Sequence, residues 1–193
     1  MRNTVTASIL VMVCVFFSTS SRATVIETTS ITASTTLGQY LHLSIDQLND
    51  GTISDAPPFN GYASGFGTTS GLITLSLDQQ YDLTSFSLWN DINILNEGVR
   101  TFSLNFLDSE GLSVGTAGVY SAVSQFDAQV YDFGQTFLGV KTVELNVLSS
   151  NLQIEIRELA FNGTATNAVP APGTLAIFCA GILGLVRFSR RRI

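Results

Sequence analysis

Between Thr24 and Asn167 the chain is a succession of short segments in which apolar and polar residues alternate, separated by Gly, Asn and Asp turns. The stretch has no helical periodicity, and its only prolines are Pro57 and Pro58. Alternation places successive side chains on opposite faces of a strand, which suits a sheet with one buried face. Many short strands at this spacing predict an all-β domain, built as a single antiparallel β-sandwich.

The alternation is clearest in residues 71–77, 84–90, 101–107, 140–147 and 152–161. In the first of these segments, Ile73, Leu75 and Leu77 fall on one face. In the last, strict alternation places Glu158 on the same face as Ile154 and Ile156. A carboxylate on an apolar face needs a partner, because burying an unpaired charge is very costly.

The N-terminus has the pattern of a signal peptide. Arg2 precedes an apolar stretch from Val5 to Phe17, and a small, polar segment follows. This pattern predicts removal of residues 1–23 by cleavage before Thr24; an uncleaved anchor is the alternative. The predicted organisation is then a signal peptide over 1–23, a β-sandwich domain over 24–163, a linker over 164–168 and a C-terminal tail over 169–193.

The C-terminal tail is apolar and ends in positive charge. Its apolar run from Leu175 to Val186 has about 12 residues, fewer than the about 20 of an ordinary spanning helix. With its flanking residues the run predicts a short transmembrane helix. The arginines at its end would stay on the cytoplasmic side. A buried core helix is the alternative, which the terminal arginine cluster disfavours.

The tail resembles the PEP-CTERM sorting tail of Gram-negative bacteria. The residues that carry the resemblance are Val169, Pro170, Pro172, Arg190, Arg191 and Arg192. The family signature has Glu between the two prolines, where this chain has Ala171. The resemblance implies that an exosortase is the processing partner. It also implies passage through the inner membrane to the cell surface or extracellular matrix.

Composition limits the chemistry of the middle domain. Fifteen acidic and three basic residues lie between Glu27 and Glu158, a net charge of −12, which disfavours binding to nucleic-acid phosphates. Cys14 and Cys179 lie in the two ends, and His42 is the only histidine. The middle domain therefore has no thiol nucleophile, Cys–His pair or multi-histidine zinc site. Composition leaves a paired-carboxylate hydrolase open, but we expect no enzymatic activity.

The order of motifs between residues 31 and 163 resembles the galactose-binding-like β-sandwich of discoidin domains and carbohydrate-binding modules. The motifs are Ile31-Thr32-Ala33-Ser34, Asn49-Asp50-Gly51, Phe86-Ser87-Leu88-Trp89-Asn90, Asp108-Ser109-Glu110-Gly111 and Ile156-Arg157-Glu158-Leu159-Ala160-Phe161. The resemblance implies a jelly-roll fold and a non-catalytic module that binds extracellular polysaccharide. A structural surface or biofilm-matrix protein without a specific small ligand is the alternative.

The same resemblance implies a structural calcium ion between the Asp-Gly loop and the last strand. By position its ligands are Asp50, Thr52 and Glu158, with Asp55 a weaker candidate. Calcium is bound by six to eight oxygen ligands from carboxylates and carbonyls, which this acidic domain can supply. The alternative is that Asp50 only makes a turn and Glu158 pairs with an arginine.

A glycan site needs an aromatic surface and a few hydrogen-bonding side chains. The only tryptophan, Trp89, is followed by polar residues, and the predicted ligand-binding residues are Trp89, Asn90, Asp91 and Arg100. Packing of Trp89 beneath a loop is the alternative. A competing candidate is the Gly-rich loop that contains Phe59, Asn60, Tyr62 and Phe66.

Overall fold

The structure is a computed structural model that describes residues 23–54, 56–91 and 97–166. Its strands are β1 (Thr24–Val25), β2 (Ile31–Thr35), β3 (Tyr62–Ala63), β4 (Gly71–Asn90), β5 (Val99–Leu107), β6 (Ser113–Ser121), β7 (Gln129–Ser150) and β8 (Glu155–Ala165). Short 3-10 helices span Thr28–Ser30 and Ile45–Gln47. None of the described helices has the length and apolar character needed to cross a membrane. The predicted signal peptide and tail helix lie outside the described residues.

All strand pairings are antiparallel, and the two longest strands, β4 and β7, lie side by side in the middle of the sheet order. The order is β1-β8-β4-β7-β5-β6, with β2 also on β4 and β3 also on β8. Strand β4 pairs with β7 along residues 71–76 and again along 85–88, with register shifts in between. The first half of β4 also pairs with β2, and its second half with β8. The structure is thus the all-β, antiparallel, sandwich-like fold that the alternation predicts.

Aromatic side chains of β4, β5, β7 and β8 pack together in one core. Phe86 on β4 has its ring centre 5.6 Å from that of Phe102 on β5 and 5.2 Å from that of Phe161 on β8. Phe106 on β5 stacks on Phe137 of β7 at 4.1 Å. All five rings are at most 5% exposed. Large aromatic rings bury much apolar area each, so this cluster contributes strongly to the stability of the fold.

The alternation in residues 71–77 is confirmed, because Ile73, Leu75 and Leu77 are at most 2% exposed. Segments 71–77 and 84–90, however, belong to one strand, since the residues between them stay extended. The predicted linker also begins too early. Residues 164 and 165 pair with residues 82 and 81 of β4, so the domain extends beyond residue 163.

Strand β8 contains an irregularity at Arg157 that changes which face its residues occupy. Trp89 of β4 pairs with Glu158, but the next residue, Asn90, pairs with Ile156. Arg157 is therefore an extra residue in β8, as in a β-bulge. Ile156 and Leu159 both reach the core, whereas Glu158 shares a face with Trp89. The prediction that Glu158 lies on the face of Ile156 is wrong, because strict alternation does not survive the bulge.

Candidate functional site

The loop that begins at Asp50 is held in one conformation by side-chain hydrogen bonds. Asp50 Oδ1 accepts from the Thr52 backbone N–H at 2.8 Å and from Asn60 Nδ2 at 3.0 Å. Asn60 Nδ2 also donates to the Thr52 carbonyl at 3.0 Å. Gly51 between them has φ of +80°, which glycine adopts without strain. The turn therefore fixes the Asp50 carboxylate and Thr52 next to each other.

Glu158 is a buried carboxylate that faces this loop. Its side chain is 3% exposed, and its Oε2 accepts from the Gly51 backbone N–H at 3.1 Å. Its Oε1 has no hydrogen-bond partner among the described residues. Burial raises the pKa of Glu158 to about 8, and the charge of Asp50 adds to the rise. The surroundings of Glu158 thus leave its negative charge poorly compensated.

The structure brings the three predicted calcium ligands, Asp50, Thr52 and Glu158, to one place. The loop is anchored to β8 by the Leu159 N–H, which donates to the Leu48 carbonyl at 3.0 Å. An orphaned, buried carboxylate oxygen beside a second carboxylate fits a hard cation, which binds to oxygen. Asp55, the weaker candidate, lies outside the described residues.

The structure buries two of the residues predicted to bind a glycan. Asn90 is 0% exposed; its Nδ2 donates to the carbonyl of Val99, and its Oδ1 accepts from the Val99 N–H. Asp91 is also 0% exposed and forms an ion pair with Arg157 at 2.7 Å. These two side chains hold strands together and present no surface to a sugar. Their burial contradicts the binding role predicted for them. The sequence shows that both residues are polar, but it does not show that they are buried.

The other two predicted residues, Trp89 and Arg100, are half-buried. When the Asn151 amide oxygen faces Arg100, it accepts from Nε at 3.2 Å and from Nη2 at 2.9 Å. Trp89 lies on the face of β4 that it shares with Glu158. The four predicted residues therefore do not form one exposed site.

The competing candidate, the Gly-rich loop, also contains residues that are buried or hold the fold together. Tyr62 is 1% exposed and donates its hydroxyl to the Gly38 carbonyl at 2.8 Å, and Phe59 lies against the guanidinium of Arg157. Asn60 holds the Asp50 turn. Only Phe66 of this candidate set presents a ring to solvent, with 68% of its surface exposed.

Phe66 has an exposed aromatic neighbour on a different loop. The ring centre of Tyr40, which is 38% exposed, lies 6.3 Å from that of Phe66. Backbone bonds join the two loops, since the Tyr40 N–H donates to Ala63 and the Gly65 N–H donates to Leu37. We call these two residues the Tyr40–Phe66 pair. Exposed aromatic rings held by a fixed backbone are suited to contact a ligand.

Polar groups adjoin the Tyr40–Phe66 pair. Gln39 and His42 are exposed on the same loop, and Gln39 Nε2 donates to the Leu41 carbonyl at 3.0 Å. A shallow groove of about 330 Å³ lies beside them, lined by Thr35, Thr36, Gly38, Gln39, Ile45 and Tyr62. The alternation around His42 predicts a strand, but the chain turns there, with Leu41 at φ of +52°. Sequence reasoning missed the Tyr40–Phe66 pair, because the two residues lie far apart in the chain and no sequence pattern shows that their loops meet.

The C-terminal tail matches a known family model. The PEP-CTERM protein-sorting motif matches residues 168–192, which include all six residues that carried the resemblance in the sequence. The match covers the tail and none of the β-sandwich. No curated protein matches the chain.

The described fold is similar to solved carbohydrate-binding modules. The family 32 module of Clostridium perfringens NanJ, solved in complex with galactose, has a TM-score of 0.62 at 12% identity; the match covers 73% of this chain and 99% of that one. The CBM32-3 module of a Clostridium perfringens family 31 glycoside hydrolase has a TM-score of 0.59 at 17% identity, covering 72% and 95%. The Streptococcus pneumoniae fucose binding module SpX-3 has a TM-score of 0.54 at 14% identity, covering 68% and 90%.

Identities this low establish likeness of fold and not of ligand. The chain thus combines an antiparallel, sandwich-like β domain, whose fold is similar to that of family 32 carbohydrate-binding modules, with residues 168–192 that match the PEP-CTERM protein-sorting motif.

Proposed function

We propose that this chain is an exported, surface-sorted and non-catalytic module that binds a glycan of an extracellular polysaccharide. The observation that carries the proposal is the likeness of its fold to carbohydrate-binding modules, one of them solved in complex with galactose. The sorting motif supports a location where such polysaccharide is met. On this proposal the partners are an exosortase-type enzyme, the membrane through the C-terminal helix, and the glycan. The location is the surface or matrix of a Gram-negative bacterium, reached through the inner membrane.

The Tyr40–Phe66 pair is the proposed contact surface for the sugar. The apolar C–H face of a sugar ring packs on an aromatic ring, and the two exposed rings give this surface without exposing the core. Gln39 and His42, which are exposed on the loop of Tyr40, would bond the hydroxyl groups of the same sugar. The adjoining groove gives a second sugar unit a place to lie.

A structural calcium ion belongs to the proposal. Asp50 and Glu158 would hold it through carboxylate oxygens, and Thr52 through its side chain. The orphaned Oε1 of Glu158 is the supporting observation. Bound there, the ion would tie the Asp50 loop to β8 and stabilise the ionised form of Glu158, which burial disfavours.

A glycan array tests the proposed binding. We expect the full-length chain, purified in mild detergent and in calcium, to be retained by a defined set of glycans. The alternative function, a structural matrix protein without a specific small ligand, predicts no selective retention on the same array. A chain that binds every glycan equally, or none, would contradict the proposal.

A further inference from the structure

The C-terminal tail leaves the β-sandwich at the end that lies opposite the proposed glycan surface. Strand β8 begins at Glu155, which pairs with Ala63 of β3, and the Tyr40 N–H donates to the Ala63 carbonyl. The Tyr40–Phe66 pair therefore adjoins the start of β8. The strand ends at Ala165, ten residues further along the chain. Because a strand rises about 3.3 Å for each residue, its two ends are about 30 Å apart.

Hydrogen bonds fix the point at which the tail begins. Thr166, the last residue that the structure describes, donates its N–H to the Gln80 carbonyl at 2.9 Å and its hydroxyl to Asp82 Oδ1 at 3.1 Å. The same oxygen of Asp82 accepts from the Gly139 N–H at 2.9 Å. Gln80 Nε2 donates to the Gly139 carbonyl and to Ser109 Oγ, both at 3.3 Å. Ser109 and Gly139 therefore lie beside the start of the tail, and we call this side of the β-sandwich the exit end.

Three exposed aliphatic side chains lie at the exit end. Leu138, which precedes Gly139, is 65% exposed, and Leu112, in the turn that contains Ser109, is 61% exposed. Val114, near the start of β6, is 39% exposed and lines one shallow groove together with Leu138. We call Leu112, Val114 and Leu138 the exit patch. Exposed apolar side chains that lie together mark a surface that contacts a partner.

We propose that the exit patch rests on the lipid surface of a membrane, an inference that depends on the proposed function, in which the tail reaches the membrane. Leu175, the first residue of the apolar run in the tail, is nine residues beyond Thr166. Nine residues span at most about 32 Å when fully extended, so the tail would hold the domain close to the lipid. Such a tether gives the patch a high effective concentration at the lipid surface. A few aliphatic side chains are then enough to turn one face of the domain toward it.

This orientation would turn the proposed glycan surface away from the lipid. With the exit patch on the membrane, the Tyr40–Phe66 pair lies at the far end of β8, about 30 Å away. A polysaccharide outside the membrane can then reach the two exposed rings without displacing the domain. The exit patch would thus serve the proposed binding by orienting the site.

The charge of the exit end indicates which lipids favour the contact. Among its described residues, Asp78, Asp82, Asp108 and the exposed Glu110 outnumber the basic Lys141, whose Nζ donates to the Asp78 carbonyl at 2.8 Å. An acidic surface is repelled by anionic headgroups, so the attraction has to come from the apolar side chains. We therefore expect closer contact with vesicles of phosphatidylcholine, which has no net charge, than with vesicles that contain phosphatidylglycerol.

Quenching of tryptophan emission by lipid tests the inference. The full-length chain is reconstituted in phosphatidylcholine vesicles whose acyl chains carry bromine, which quenches a tryptophan that touches them. Leu138→Trp places the probe in the exit patch. Leu148→Trp is the matched control, because Leu148 is 47% exposed and lies ten residues further along the same strand. The wild type, whose only tryptophan is Trp89, gives the background.

We expect brominated lipid to reduce the emission of Leu138→Trp beyond that of the wild type, and to leave Leu148→Trp at the wild-type level. Adding Val114→Asp to Leu138→Trp should remove the extra quenching, because a charge in the patch is costly to place against lipid. Phosphatidylglycerol should weaken the quenching, and sodium chloride should restore it by screening. Circular dichroism checks the fold, and Leu112→Trp replaces Leu138→Trp if that variant does not fold.

Equal quenching of the two probes, or of neither, would overturn the inference. Vesicle flotation and titration with glycan separate this failure from a failure of the proposed function. A chain that floats with the vesicles and binds its glycan, but shows equal quenching, contradicts the exit patch alone. A chain that does not float contradicts the membrane role of the tail, and the inference with it. A dimer in detergent that Val114→Asp separates would show that a second copy covers the patch, which would also overturn the inference.

Discussion

Glu158 shows how the role of one residue depends on neighbours that are distant in the chain. Its Oε2 has the Gly51 N–H as a partner, and its Oε1 has none in the described structure. Because the side chain is buried, its ionised form is unfavourable without a cation. With a cation, the same carboxylate connects the Asp50 loop to the last strand.

Calcium should therefore stabilise the chain through Glu158. A ligand that binds only the folded state stabilises it by about 2.7 kcal/mol at a hundred times its dissociation constant. We expect a chelator to lower the melting temperature by several degrees, calcium to restore it and magnesium to restore it poorly. The Glu158→Gln variant should lose much of this response, because the change removes the charge and keeps the shape.

Simple charge screening is the competing explanation for a calcium effect in so acidic a protein. Sodium chloride at equal ionic strength serves as the control, and Glu110→Gln is the matched variant. If sodium chloride reproduces the calcium effect, or if Glu158→Gln responds as the wild type does, then Glu158 is not a calcium ligand.

At the scale of the strands, the stability of the fold depends on side chains of their inner faces, which form the core. Phe86 is 0% exposed and lies within ring contact of Phe102, Tyr131 and Phe161. Its ring, on β4, thus contacts rings on β5, β7 and β8. Removal of such a ring leaves a cavity that the neighbours fill only in part.

The Phe86→Ala variant should lower the free energy of unfolding by about 3–5 kcal/mol, measured by urea denaturation. Val130→Ala on β7 is the control, since Val130 is 64% exposed and should change stability by less than about 0.5 kcal/mol. Similar losses in the two variants would show that Phe86 is not part of the core described here.

Sequence patterns predict the features that depend on one strand alone. The buried face of Ile73, Leu75 and Leu77 follows from alternation, as does the all-β class. The same reasoning fails at Glu158, because the bulge in β8 is fixed by its pairing with β4. It fails again at Asp91, whose buried partner Arg157 lies on the neighbouring strand β8, far away in the sequence. The Tyr40–Phe66 pair is likewise absent from any local pattern, since two loops must meet to form it.

At the scale of the whole molecule, the proposed function gives the β-sandwich and the sorting tail different roles. The tail is the segment with a recognised family match, and the sandwich has its likeness in solved binding modules. In the proposed function the sorting tail determines where the chain resides, and the β-sandwich determines which glycan it binds.

Deletion of residues 170–193 tests the role of the tail. We expect the shortened chain to be found in the culture medium, because the sorting motif is lost. Immunoblots of cell and medium fractions give the distribution, with Phe126→Ala in the full-length chain as a control that keeps the tail. A shortened chain that stays with the cells would show that something other than the tail retains it.

Glycan affinity of the Tyr40–Phe66 pair tests the proposed function most directly. The measurement is calorimetric titration of the full-length chain with the glycan best retained on the array. Phe66→Ala is compared with Phe126→Ala, which removes another exposed ring, 47% exposed, on the connection between β6 and β7. We expect at least about a tenfold loss of affinity for Phe66→Ala, a difference of about 1.4 kcal/mol, and no change for Phe126→Ala. Equal affinities in both variants and the wild type would contradict the proposed site, and no measurable binding by the wild type would contradict the function itself.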